Sequence, residues 1–121
     1  MNYETVVLEK NGRQATLTLN RPQNMNAMNG MMMKEIADVL ESLQGEKEVQ
    51  VLVIKGEGKA FSAGGDIKAM LDPESPLDIE TVMVDVSRLA KALYTLPIIT
   101  IASVHGAAAG LGLSLVLGCD V

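Results

Sequence analysis

Aromatic side chains are almost absent: one Phe, two Tyr and no Trp in 121 residues. A surface that stacks unpaired bases needs such rings, and a formal net charge of -5 repels phosphate, so nucleic acid is not expected as the main partner. Cysteine occurs once, at Cys119, which leaves no disulfide framework and no Cys-rich metal site; a reducing cytoplasm is the expected compartment. Histidine also occurs once. His105 has no carboxylate or nucleophile at a recognisable spacing, so it is expected to be a satisfied core or turn residue. The start Met1-Asn2-Tyr3-Glu4-Thr5 lacks the basic and apolar segments of a signal peptide. The apolar stretch 97–121 is broken by Ser103, His105, Gly106, Gly110, Gly112 and Asp120, so it reads as buried core and no membrane span is expected. Gly58-Lys59 lacks the spacing of a phosphate-binding P-loop, and no G-x-G-x-x-G follows the first strand.

What is present is a globular composition, 48% hydrophobic and 21% charged. The length suits one domain, whose folding should bury roughly two thirds of the unfolded chain's surface. Asn11-Gly12 between the runs 3–10 and 13–20 predicts a hairpin, with Ala15, Leu17 and Leu19 on one buried face. Arg21-Pro22 stops the second strand. Met32, Ile36, Val39, Leu40 and Leu43 recur at helical spacing, with Asn26 or Asn29 as the N-cap and Gly45 at the end. Val51-Leu52-Val53-Ile54 is apolar without alternation, the pattern of a strand covered on both faces. Residues 72–76 are a polar, proline-containing break, and the loop 71–77 is expected to gate a pocket. Ile79, Val82, Met83, Val86, Leu89, Ala90 and Leu93 form an amphipathic stripe that ends at Pro97. Ile98 to Ala102 reads as another buried strand, followed by a small-residue turn and a short helix from Leu113 to Leu117. Gly118-Cys119-Asp120-Val121 looks like the entry to a further strand. This alternation predicts an α/β architecture with mainly parallel central strands.

Two stretches share one design. Lys59-Ala60-Phe61-Ser62-Ala63-Gly64-Gly65-Asp66 and His105-Gly106-Ala107-Ala108-Ala109-Gly110-Leu111-Gly112 each lie between a buried strand and a helix start. Small residues there let backbone N–H groups approach a ligand, and Asp66 is placed to cap the helix that follows. If the strands are neighbours, one N–H from each turn can reach a single oxygen. Such a donor is worth roughly 3 to 4 kcal/mol on charge developing at a carbonyl oxygen, and the following helix adds its positive end. The duller readings are a tight turn, an Asp66 that only caps, core-filling for Met25, Met28, Met31, Met32 and Met33, and solvated charges for Lys55, Lys59 and Lys68.

The ordered set Asn20-Arg21-Pro22, Asn26-Ala27-Met28, Phe61-Ser62-Ala63-Gly64-Gly65-Asp66 and Gly106-Ala107-Ala108-Ala109-Gly110 through Cys119-Asp120 resembles the crotonase superfamily of enoyl-CoA hydratases and isomerases. The resemblance implies a crotonase-like spiral of ββα units, of which residues 1–121 would be the N-terminal part of a single domain that ends before the C-terminal helices. It implies an acyl-CoA thioester as substrate and no separate cofactor, since coenzyme A is part of that substrate. The shared chemistry is stabilisation of a thioester enolate, and the expected assembly is a homotrimer or dimer of trimers. By position, the oxyanion donors would be the amides of Gly65 and Leu111. Met25, Ala27, Ala63, Gly64, Asp66 and Ile67 would line the coenzyme A channel, and Gly110 and Ser114 would also contact the substrate.

The departure lies at Ser114, which stands where hydratases of the family carry a glutamate; their second glutamate would fall beyond Val121. Hydration needs a carboxylate to activate water and deliver a proton. A serine hydroxyl accepts no proton near neutral pH, although it can position water or an acyl group. An isomerase or divergent hydratase is therefore expected rather than a two-glutamate hydratase. The alternative is a non-catalytic acyl-CoA-binding or assembly module on the same scaffold.

Overall fold

The computed structural model describes residues 2–72 and 78–121. Strand β1 (Val6–Asn11) pairs antiparallel with β2 (Gln14–Leu19). Asn11 faces Gln14 in the ladder, so the two-residue connection is Gly12-Arg13, one position later than the Asn11-Gly12 expected. The reason is conformational: Gly12 takes the left-handed φ of +63°, and Asn11 stays extended as the last paired residue.

After Arg21 the chain makes a 3-10 turn, Pro22–Asn24, then passes through Met25 and Asn26, both left-handed with φ of 53° and 54°. Helix α1 (Gly30–Leu43) begins at Asn29, whose side chain accepts the N–H of Met32, so Asn29 and not Asn26 is the cap. Met32, Met33, Ile36, Val39, Leu40 and Leu43 face Ala15, Leu17, Leu19, Leu52 and Ile54 in one core. Each large aliphatic or sulfur side chain so buried is worth about 1.5–3 kcal/mol against exposure. Inside that face the Glu35 carboxylate accepts the N–H groups of Glu4 and Thr5, pinning the chain's start to α1.

Strand β3 (Val51–Gly56) runs parallel to β2 and to β4 (Ile99–Ser103), giving one sheet of order β1-β2-β3-β4. Only one face of β3 is fully covered: Leu52 and Ile54 are buried, while Val51 and Val53 are half-buried and Lys55 is exposed. The expectation of two covered faces is corrected accordingly.

Helix α2 (Ile67–Met70) is a single turn capped by Asp66. Helix α3 (Ile79–Tyr94) packs along α1. Its stripe buries Leu93 and half-buries Val82, Val86 and Leu89, but Ile79 and Met83 stay exposed. Charge completes the seam. Buried Asp85 pairs with Lys34 at 3.0 Å, and Arg88 bridges Asp38 and Glu41. Helix α4 (Leu111–Leu117) starts two residues earlier than the sequence predicts. Val121 donates its N–H to Thr100 and accepts that of Ala102, the pattern of a parallel neighbour on the edge of β4. No helix among the described residues is long and apolar enough to cross a membrane. The gating role expected for the loop 71–77 falls largely on residues 73–77, outside the described residues.

Candidate active site

Because β3 and β4 are adjacent and parallel, their C-terminal ends emerge at the same edge of the sheet. Ligands of open α/β sheets gather at such edges. The two small-residue turns meet there. Phe61 N–H donates to the His105 carbonyl at 3.0 Å, Ser62 N–H to Ala107 at 3.2 Å, and Ala109 N–H returns to Ser62 at 3.1 Å. Ser62 and Ala108 thus form a parallel bridge beyond the strands themselves. At Gly64, φ is +100° and a Cβ would sit 2.8 Å from the Ala109 carbonyl oxygen, so both conformation and the facing turn demand glycine.

The peptide planes on either side of this contact are fixed by their carbonyls. Gly64 C=O accepts the N–H of Met28 at 2.7 Å, and a trans peptide then turns the Gly65 N–H the opposite way. Gly110 C=O accepts both the N–H and the hydroxyl of Ser114, which leaves the Leu111 N–H directed out of the first turn of α4. Among the described residues neither the Gly65 nor the Leu111 amide donates to a protein acceptor. Both are therefore free for a ligand, although a helix's first amides are unbonded in any protein.

The other expected contacts divide into two groups. Met25 and Ile67 present exposed side chains, and Ala63, also exposed, donates its N–H to the Met25 carbonyl at 2.9 Å. The Ala27 carbonyl and the Asp66 carboxylate each already hold partners within the fold. The Ala27 carbonyl accepts the Arg21 guanidinium. Asp66 accepts the Ala69 N–H on one oxygen and Arg21 on the other, the latter at 3.1 Å with both side chains largely buried. Burial pushes the Asp66 carboxyl up, but the Ala69 N–H and the Arg21 guanidinium outweigh it and hold it below its ordinary value. Asp66 thus caps α2 and anchors Arg21, the structural role expected of it.

Leu111 and Ser114 also line an apolar cavity of about 600 Å³ between α3 and α4. Met28, Met33, Leu89 and Leu93 form much of its wall, and no Asp or Glu does among the described residues. Of the five methionines, Met28, Met32 and Met33 are buried and Met25 and Met31 exposed, so core filling accounts for only part of the cluster. Lys55, Lys59 and Lys68 are exposed and make no ion pair among the described residues. His105 is exposed rather than buried, and its Nε2 lies 2.6 Å from the Gly58 carbonyl, latching the second turn to the first. Cys119 is half-buried; burial pushes its thiol up, as expected of an unreactive packing residue.

Sequence reasoning missed two organising residues. Asn26 is 0% exposed; its amide donates to the carbonyls of Glu57 and Ala60, each at 2.9 Å, and its oxygen accepts the Arg21 N–H. Ser62, equally buried, donates its hydroxyl to the Asn26 carbonyl at 2.8 Å. Apart from Arg21, five residues off, the partners lie 31 to 36 residues away along the chain, so no local pattern could have announced them. The available signals were membership of both residues in the motifs of the resemblance and, for Asn26, a residue type that tolerates a left-handed backbone better than most.

A mixed α/β sheet whose parallel strands β3 and β4 end in two touching glycine turns defines a scaffold that can hold a small ligand at that edge. Residues 9–121 match the family model described as Enoyl-CoA hydratase/isomerase, and the chain belongs to that family. The Bacillus subtilis protein YhaR, whose name assigns it only provisionally to the enoyl-CoA hydratase/isomerases, is 40% identical over 92% of this chain and 43% of its own length. The crystal structure of an enoyl-CoA hydratase from Mycobacterium avium subsp. paratuberculosis superposes with a TM-score of 0.85 at 31% identity, covering 99% of this chain and 44% of that one. That of an enoyl-CoA hydratase/carnitine racemase from Magnetospirillum magneticum gives 0.89 at 28% identity, over 99% and 46%. The fold is therefore crotonase-like, and the chain spans less than half the length of these relatives.

Proposed function

We propose that this chain binds an acyl-CoA thioester with its carbonyl oxygen between the amides of Gly65 and Leu111, and that this pair stabilises the enolate formed in an isomerase-type or divergent hydratase reaction. The observation that carries the reading is the contact of the two turns through the Ser62–Ala108 bridge, with the amides of Gly65 and Leu111 left without protein acceptors. Charge that grows on the thioester oxygen as the α-proton leaves is met by dipoles already in position, which need no reorganisation. The apolar cavity beside Leu111 takes the acyl chain. Met25, Ala63 and Ile67, exposed along the first turn, line the route for the rest of coenzyme A. The proton is handled by a carboxylate that the described residues of this cavity do not supply. A homo-oligomer is the assembly that this reading carries with it.

Ser114 favours a second reading. Its hydroxyl is engaged with the Gly110 carbonyl at 3.2 Å, where the family resemblance places a glutamate in hydratases. A scaffold that binds acyl-CoA without turning it over accounts for that residue. Calorimetry with acyl-CoAs beside an enoyl-CoA turnover assay separates the two: binding without turnover selects the non-catalytic module. Within the catalytic reading, Gly65→Pro deletes one donor and touches no acid or base, and is expected to lower turnover by about two to three decades. A folded Gly65→Pro protein that turns over normally contradicts the assignment.

A further inference from the structure

The amide of Gly65 can serve as a donor only if its peptide plane is held still, and the plane before it must be held as well. The Gly64–Gly65 peptide is fixed by the bond from Met28 N–H to the Gly64 carbonyl. The Ala63–Gly64 peptide is fixed by a side chain: Gly64 N–H donates to the hydroxyl oxygen of Ser62 at 3.2 Å, and that hydroxyl donates in turn to the Asn26 carbonyl at 2.8 Å. Between the two planes lies the Gly64 φ of +100°, a torsion with no steric wall of its own in glycine. Ser62 is also the residue nearest the second turn. A Cβ on Gly112, in the first turn of α4, would stand 2.7 Å from the Ser62 Cβ, and the Ser62 backbone exchanges hydrogen bonds with Ala107 and Ala109.

We infer that Ser62 is a positioning residue: its buried hydroxyl relays the rigidity of the Asn26 backbone to the Gly64 amide and so sets the direction of the Gly65 N–H, while its backbone and Cβ set the distance to the turn carrying Leu111. The hydroxyl is suited to the task because it donates and accepts at once, which neither Ala nor Cys does well. The inference rests on the oxyanion reading above, since Ser62 acts only through the Gly65 amide. Its 0% exposure rules out direct contact with substrate as the reason for a serine there.

The test is isotope-edited infrared spectroscopy of crotonyl-CoA, labelled with carbon-13 at the thioester carbonyl and bound to the full chain. In the wild type the carbonyl stretch is expected to move to lower frequency on binding, because two donors polarise the bond. Ser62→Ala, and Ser62→Cys, which keeps a slightly larger group there but a weak acceptor, are expected to lose most of that shift while affinity for coenzyme A itself is unchanged. A folded Ser62→Ala or Ser62→Cys protein with the full wild-type shift overturns the inference and leaves the oxyanion reading intact. A wild type that binds but shows no shift overturns the oxyanion reading, and this inference with it. Amide hydrogen exchange of the unliganded wild type tests the relay without any substitution: the Gly64 amide is expected to be protected and the Gly65 amide to exchange fast. Equal, rapid exchange at both positions overturns the relay whatever the carbonyl does.

Discussion

The donor at Leu111 can be deleted with little disturbance, because Leu111 is the first residue of α4. That position favours proline: its missing N–H had no helical partner, and its fixed φ suits the first turn. The residue before it is glycine, which tolerates the restriction proline places on its neighbour. Leu111→Pro therefore removes the amide hydrogen, together with a half-buried side chain at the cavity wall. Leu111→Ala removes the same side chain and keeps the hydrogen. Truncating a partly buried leucine costs about 1–2 kcal/mol of stability, below the range for fully buried sites, and both variants share that cost. The difference between them isolates the donor. Loss of one oxyanion donor costs about 3–4 kcal/mol in the transition state, or about 10² to 10³ in kcat. Turnover of an enoyl-CoA is the assay, followed by its conjugated thioester absorbance, which is lost on hydration and gained on isomerisation of a 3-enoyl thioester, with folding checked by circular dichroism. The expected order is wild type, then Leu111→Ala modestly reduced, then Leu111→Pro lower by about two to three decades. If Leu111→Pro and Leu111→Ala turn over alike, the second donor is not Leu111 and the two-amide site is wrong.

Other outcomes follow from the same contacts. Asn26→Ala leaves the buried carbonyl of Ala60, and the part-buried carbonyl of Glu57 and N–H of Arg21, without partners, and places alanine at a φ of 54°. At about 1–3 kcal/mol for each orphaned group, the expected loss is about 3 kcal/mol or more in chemical denaturation, and a loss under about 1 kcal/mol contradicts the role given to Asn26. Acid titration reports the two engaged carboxylates. Burial pushes the Glu35 carboxyl up, but the Thr5 hydroxyl and the N–H groups of Glu4 and Thr5 outweigh it and hold it below its ordinary value of 4.5; Asp66 is likewise held below 3.8. With folded-state values depressed, the unfolded chain binds these protons at higher pH. Their stabilisation is complete above the ordinary values and is lost as pH falls through the lower, folded ones. Stability should therefore decline from about pH 5 toward about pH 3, less steeply in Glu35→Gln. A flat or rising curve over that range refutes the assignment.

The sequence carried the alternation of elements, the helix α1 with its apolar face, the cap at Asp66 and the two glycine turns, because each of these is a local pattern. Period-3.6 and period-2 burial, a carboxylate before a helix and glycine at left-handed φ all act within a few residues of one another. Even there the exact hairpin connection was missed, since Asn11-Gly12 and Gly12-Arg13 differ only in which residue the ladder claims. The stripe on α3 was legible, but its partial exposure was not. Periodicity says which face is apolar, and only packing says how much of that face finds a neighbour.

What the sequence determined by itself is the chemistry on offer: small residues at two strand ends, a single histidine and a single cysteine, and serine at position 114. The tertiary structure alone decided that the two turns touch. That outcome depends on β3 and β4 being parallel neighbours, and on Asn26, Ser62 and the Arg21–Asp66 pair joining segments some 36 to 45 residues apart. Such contacts are selected by the closure of the whole core, where a buried carbonyl or guanidinium must find its partner wherever the chain has brought one.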